Sequence, residues 1–245
     1  MRLAFLFLAL PLALAACNKE AGSNVTGSEG SGPVKAVAPP AGKQWTDVVE
    51  MTSEGGYRMG NPAAPIKLVE FASLTCPHCA EFAEKGFAPL RDKYVSSGRL
   101  SFELRNFVRD PIDLTAAMLT RCGAPESYFA LTEQVFANQP AIFERAQAGI
   151  KQAQAAQNLP DDRKFAAAAD ALGLTDFFAA RGIARDQAGT CLARSGMASQ
   201  LAQATQRDSE AYDIQGTPTF LINGRNVQVS TWEELEPLLQ GAGAR

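Results

Sequence analysis

The chain has 245 residues, 46% hydrophobic and 20% charged, enough to bury one substantial core with a smaller second layer. A net charge of −3 with no basic run argues against a nucleic-acid surface. No apolar stretch reaches the roughly 20 residues that a permanent membrane-crossing helix needs.

In chain order, Arg2 is followed by an apolar stretch from Leu3 to Ala16, interrupted only by Pro11, which is the pattern of an export signal. It ends in Leu14-Ala15-Ala16-Cys17, which resembles the lipobox of bacterial lipoproteins. That four-residue resemblance implies a signal peptide over 1–16, lipidation of Cys17 and a periplasmic protein anchored to a membrane. The alternative is cleavage behind Ala13-Leu14-Ala15, leaving Cys17 unmodified. Asn18, by resemblance to enterobacterial sorting, implies the outer membrane, although inner and outer both stay open. From Asn18 to about Lys43 the chain is Gly, Ser, Ala and Pro with few large side chains, so it cannot offset its ordering entropy by burial. Residues 17–44 therefore read as a flexible tether reaching on the order of 25–30 Å, with folded structure starting near Trp45.

Ile66-Lys67-Leu68-Val69-Glu70-Phe71 is a short β-branched, apolar run bounded by Pro65 and interrupted by Glu70, and it predicts a buried strand. After Cys76, apolar Phe82, Ala83, Phe87, Leu90 and Tyr94 recur at helical spacing, with Pro89 as an expected kink. Leu100 to Phe107 alternates as a second strand, so residues 45–109 form a parallel, right-handed βαβ unit. Residues 110–214 carry helical patterns punctuated by Pro and Gly, far more chain than a crossover requires, and predict an all-helical insertion. Residues 215–245 return to strand signals: Thr219–Ile222, the turn Asn223-Gly224, then Asn226–Val229. A final helix starts at Thr231, with Glu234 completing a capping box. The fold class is α/β, a βαβ half and a hairpin-helix half separated by a large helical insertion.

The five cysteines divide into Cys17, the close pair Cys76 and Cys79, and the distant pair Cys122 and Cys191. In an oxidising compartment the distant pair is expected to form a structural disulfide worth about 2–4 kcal/mol; the alternative is two separately buried thiols. Cys76 at a strand-to-helix junction lies where unpaired amides and the helix dipole favour an anion. Pro77 fits the first helical turn, and His78, the only histidine, can add a positive charge or a hydrogen bond toward the Cys76 sulfur. Cys79, one turn deeper, is the expected resolving thiol. A zinc site would need two further ligands, and no second pair exists, so neither metal nor cofactor is expected.

Cys76-Pro77-His78-Cys79 resembles the active tetrapeptide of the bacterial DsbA family of disulfide oxidases. Val69-Glu70-Phe71 and Gly216-Thr217-Pro218-Thr219-Phe220 resemble the same family. The resemblance covers roughly residues 60–240 and implies a thioredoxin fold with a helical insertion. It further implies a cis-proline at Pro218, substrate hydrogen bonds from Thr217, and Glu70 as buried proton acceptor for the resolving thiol. The alternatives are a satisfied core carboxylate or an edge position for Glu70, and a trans proline opening a strand for Pro218. In a strongly oxidising member of that family the thiol pKa falls from about 8.5 to about 3.5, or about 7 kcal/mol. Its potential near −120 mV, against about −270 mV for thioredoxin, is the same energy. The resemblance thus implies a monomeric oxidase of reduced, unfolded exported polypeptides, recharged by a membrane redox partner. Thr217 also suits isomerases and reductases, and a non-redox binding lipoprotein is a third reading. Trp45 and Trp232 suggest no chemistry.

Overall fold

Burial on both faces explains why the run from Ile66 does not alternate: β3 (Ile66–Ala72) lies inside the sheet with only Lys67 exposed. The computed structural model describes residues 32–194 and 196–245; the expected export signal and Cys17 lie outside the described residues. Around β3 run β1 (Val49–Met51), β2 (Tyr57–Gly60), β4 (Leu100–Asn106), β5 (Thr219–Ile222) and β6 (Arg225–Asn226). Their order across the sheet is β1-β2-β4-β3-β5-β6, with β3 and β4 parallel and every other pair antiparallel. The hairpin β1–β2 carries no sequence expectation and adds an edge to β4.

Between β3 and β4 the chain forms α1 (Pro77–Phe82) and continues through π-helical segments Ala83–Phe87 and Leu90–Val95. The expected kink at Pro89 is replaced by these wider turns on both sides, which absorb the ring and the missing N–H without breaking the helix. The C-terminal hairpin turns at Asn223 (φ 50°) and Gly224 (φ 79°), left-handed positions that suit a two-residue loop. Its second strand stops at Asn226, short of the expected Val229, because Gln228 has φ 54°, while Val227 and Val229 turn onto the core.

The insertion contains α2 (Pro111–Thr120), α3 (Tyr128–Ala137), α4 (Gln139–Ala156), α5 (Asp161–Ala171), α6 (Leu174–Ala179), α7 (Arg185–Leu192) and α8 (Met197–Tyr212). Asp110 caps α2 by accepting from the N–H groups of Ile112 (2.8 Å) and Asp113 (2.9 Å). At Gly149, α4 passes so close to α5 that a Cβ would overlap the Ala171 carbonyl. A disulfide joins Cys122, just beyond α2, to Cys191 in α7, 69 residues apart. The fold closes with α9 (Trp232–Gly241), whose N-cap Thr231 accepts from Glu234 N–H while the Glu234 carboxylate takes the Thr231 hydroxyl. Among the described residues no helix is long and apolar enough to cross a membrane.

The stretch read as tether joins the folded body before Trp45. Val34 N–H donates to Gly243 O (2.9 Å), Arg99 Nε to Val34 O (2.7 Å) and Val37 N–H to Ser97 O (3.1 Å). The Trp45 indole donates to Val37 O at 2.7 Å. Backbone hydrogen bonds, which composition does not report, fasten this polar stretch.

Replacing both Cys122 and Cys191 by Ala is expected to lower stability by about 2–4 kcal/mol, read as a lower urea midpoint. An unchanged midpoint would show that the insertion does not depend on the bridge.

Candidate active site

The end of β3 leads into Ser73-Leu74-Thr75-Cys76, a turn closed by Cys76 N–H donating to Ser73 O at 3.1 Å. Cys76 is the N-cap of α1, with extended backbone (φ −85°, ψ 121°), and Pro77 occupies the first turn. Both active-site cysteines are free thiols here and buried, Cys76 being only 2% exposed. The protonated Cys76 thiol donates to Thr217 O at 3.1 Å. Its anion is held far below the ordinary thiol range, at about 4, first by the Cys79 thiol. The Thr217 side chain and the backbone N–H groups of Cys79 and His78 add to this, against desolvation. Cys79 goes the other way: burial, then its bond to Cys76, then the negative charges of Glu70 and Cys76 raise it well above the ordinary range.

Glu70 is 2% exposed at the centre of the sheet, paired in register with Leu104 and Phe220. Burial pushes its carboxyl up to about 8, and the Cys76 charge adds to the effect. Its Oε1 has no hydrogen-bond partner. Such a group stays protonated at neutral pH. The Thr217–Pro218 peptide bond is cis. His78 is placed differently from its expected role: its side chain is 77% exposed, with Nδ1 3.9 Å from the Glu81 carboxylate. What reaches the Cys76 sulfur is the His78 backbone N–H.

Three residues of this site were missed by sequence reasoning. Asp113, fully buried in α2, accepts from Ser73 Oγ (2.6 Å), Leu74 N–H (2.8 Å) and Arg109 N–H (3.0 Å), and burial raises its carboxyl to about 6. Gln139, the first residue of α4, donates its side-chain amide to Leu74 O (2.8 Å) and Cys76 O (3.0 Å). Arg109 reaches Thr217 Oγ1 at 3.5 Å. Asp110-Pro111 signals a helix start, but nothing in the sequence says that the start packs on the redox turn. An open cleft of about 670 Å³ borders His78, Thr217, Pro218 and the chain from Gln228 to Ser230.

A strand-to-helix thiol pair facing a cis-proline on a central β3–β5 ladder matches a family described as thioredoxin over residues 52–241. The chain belongs to the thioredoxin family. Among solved structures of this family, a protein-disulfide isomerase from Novosphingobium aromaticivorans is 36% identical, with a TM-score of 0.68. That match covers 75% of this chain and 94% of the isomerase. Wolbachia pipientis alpha-DsbA1 shares the fold at 23% identity and TM-score 0.62, over 79% of this chain and 93% of its own. A Rickettsia bellii relative named "Putative protein-disulfide oxidoreductase" is 26% identical over 171 residues, 70% of this chain and 58% of that protein. The chain thus spans a little over half the length of the curated relatives it matches. Within the thioredoxin frame, the helices from Pro111 to Tyr212 form a DsbA-like insertion, and they supply Asp113 and Gln139 to the redox turn.

Ultraviolet thiolate absorbance of the reduced protein should titrate with a midpoint near 4 and lose that transition in Cys76→Ser. A midpoint in the ordinary thiol range would contradict the site as described. Glu70 carries the opposite pH signature. Its pKa rises from 4.5 unfolded to about 8 folded, so its contribution is complete below 4.5 and is lost as pH climbs through about 8. Glu70→Gln cannot ionise, so its Tm advantage over the wild type should widen from about pH 5 to about pH 8. A gap independent of pH would mean that Glu70 is not buried neutral.

Proposed function

We propose that the protein is a thiol-disulfide oxidoreductase that oxidises reduced, unfolded exported polypeptides. The observation that carries this reading is the opposed ionisation of the two thiols, Cys76 held at about 4 and Cys79 pushed up. A thiolate exists only in the reduced form, so whatever stabilises it makes the disulfide a stronger oxidant.

Starting from the Cys76–Cys79 disulfide, a substrate thiolate attacks Cys76 Sγ, forming a mixed disulfide while the Cys79 sulfur leaves with the bonding electron pair. The protonated Glu70 carboxyl gives that sulfur its proton and takes one up again from solvent. A second substrate thiolate then attacks the substrate sulfur of the mixed disulfide. Cys76 leaves as a stabilised anion, and two electrons have passed from substrate to protein. Thr217, on the cis side of Pro218, offers its backbone to the substrate strand. A membrane redox partner removes the two electrons and restores the disulfide. Export, lipidation of Cys17, anchorage to a membrane in the periplasm and monomeric action belong to the same proposal. The Cys122–Cys191 bridge suits an oxidising compartment.

A second reading, disulfide isomerase, is favoured by the name of the 36%-identical Novosphingobium protein. Equilibration with glutathione separates the two. An oxidase should have a potential well above the roughly −270 mV of thioredoxin, toward about −120 mV, with Cys76→Ser inactive and folded. A potential near thioredoxin's would reverse the proposed direction, and turnover by Cys76→Ser would remove Cys76 as the sulfur that forms the mixed disulfide.

A further inference from the structure

A second open groove, about 690 Å³, runs between the α1 helix and the insertion and shares no lining residue with the cis-proline cleft. Ala80, Ala83, Phe136 and Ala137 give it an apolar floor. Every charged side chain lining it is acidic: Glu81 and Glu84 from the α1 side and Glu133 from α3. The nearby cations pair with these carboxylates. Lys85 bonds Glu81 at 2.7 Å, and Arg91 bonds Asp92 at 2.7 Å while staying 3.9 Å from Glu133. Glu133 is half-buried, and desolvation holds its carboxyl above the usual range despite Arg91. A cation entering the groove would meet a half-buried carboxylate whose own ion pair, to Arg91, is long at 3.9 Å.

The groove begins at Pro77, adjacent to the reactive sulfur, and extends along the helix to Ala88. Eleven helical steps cover about 16 Å, room for about five residues of extended chain. We propose that this groove seats the segment flanking a substrate's reacting cysteine and selects segments that combine apolar residues with Lys or Arg. The inference rests on the oxidoreductase reading and adds a substrate class to it: apolar side chains cover the floor, and cations face the Glu84 and Glu133 rim. Acidic flanks are disfavoured by the same rim, so one surface both attracts and rejects.

The test uses the full-length protein in its disulfide form and fluorescent peptides with Ser in place of the cysteine, sharing one apolar anchor and differing only in Lys, Gln or Glu flanks. Fluorescence anisotropy should show the Lys peptide binding about 3- to 10-fold tighter than the Gln peptide, and the Glu peptide weaker still. The advantage should shrink at high salt and vanish in the double variant Glu84→Gln/Glu133→Gln, with the Gln peptide unaffected. Equal binding of all three peptides, or a Lys advantage that survives the double variant, would overturn the proposal. Oxidation of a cysteine-containing Gln peptide is followed separately, so a failed redox reading is told apart from a failed docking surface by which of the two measurements is lost.

Discussion

Three acids meet at the end of β3, and the interior there has room for one negative charge. Burial penalises all three, and the Cys76 charge opposes ionisation of Cys79 and Glu70, while the Cys79 thiol favours the Cys76 anion. The charge settles on Cys76 because the Cys79 thiol, then Thr217 and the amides at the open N-terminus of α1, stabilise that sulfur's anion against desolvation. Cys79 and Glu70 lie deeper, where the dominant influence is desolvation. Each residue's role follows from that allocation: the comfortable anion is the leaving group, and the two uncomfortable ones hold protons. The placement of the turn 73–76 decides which sulfur meets the amides.

That sensitivity gives the helical insertion its place in the chemistry. Asp113 and Gln139 hold the turn from α2 and α4, with Asp113 accepting from its donors and Gln139 occupying its acceptors. Thr75 adds a bond to Asp110 at 2.5 Å, the same carboxylate that caps α2. The residues that fix the position of the redox turn therefore belong to the insertion rather than to the sheet. The Cys122–Cys191 bridge fastens the chain just beyond α2 to α7, and Gln187 of α7 donates to Cys122 O at 2.7 Å, so the support for the turn is itself tied down.

Where local chemistry decided the structure, the sequence was legible. The tetrapeptide, the Asn223-Gly224 turn, the Thr231 cap and the long helical run all act within a few residues of themselves. Tertiary pairing was not legible. The β1–β2 hairpin has strands of three and four residues, too short for a periodicity, and Met51 in it remains 62% exposed. Asp113 and Gln139 look like ordinary helix residues until their partners, 39 and 63 or more positions away, are in place. Two misreadings share a cause, since backbone geometry overrode side-chain pattern: the positive φ of Gln228 stopped β6, and main-chain bonds at Val34 and Val37 gathered in chain that composition marked as loose. His78 is a third case. Its side chain was free to turn toward Glu81 because the amides already serve the sulfur.

The fastening of Val34 lies at the far end of the molecule from the thiols. Ser97, Arg99 and Gly243 cluster where β4 begins and α9 has ended, whereas Cys76 follows the end of β3, about 20 Å along the parallel strands. Under the proposed anchorage, tension along the N-terminal chain would enter at Val34 and Val37, where their main-chain bonds reach the start of β4 and the end of α9. The turn that carries Cys76, at the opposite end of those strands, would lie away from that point of entry.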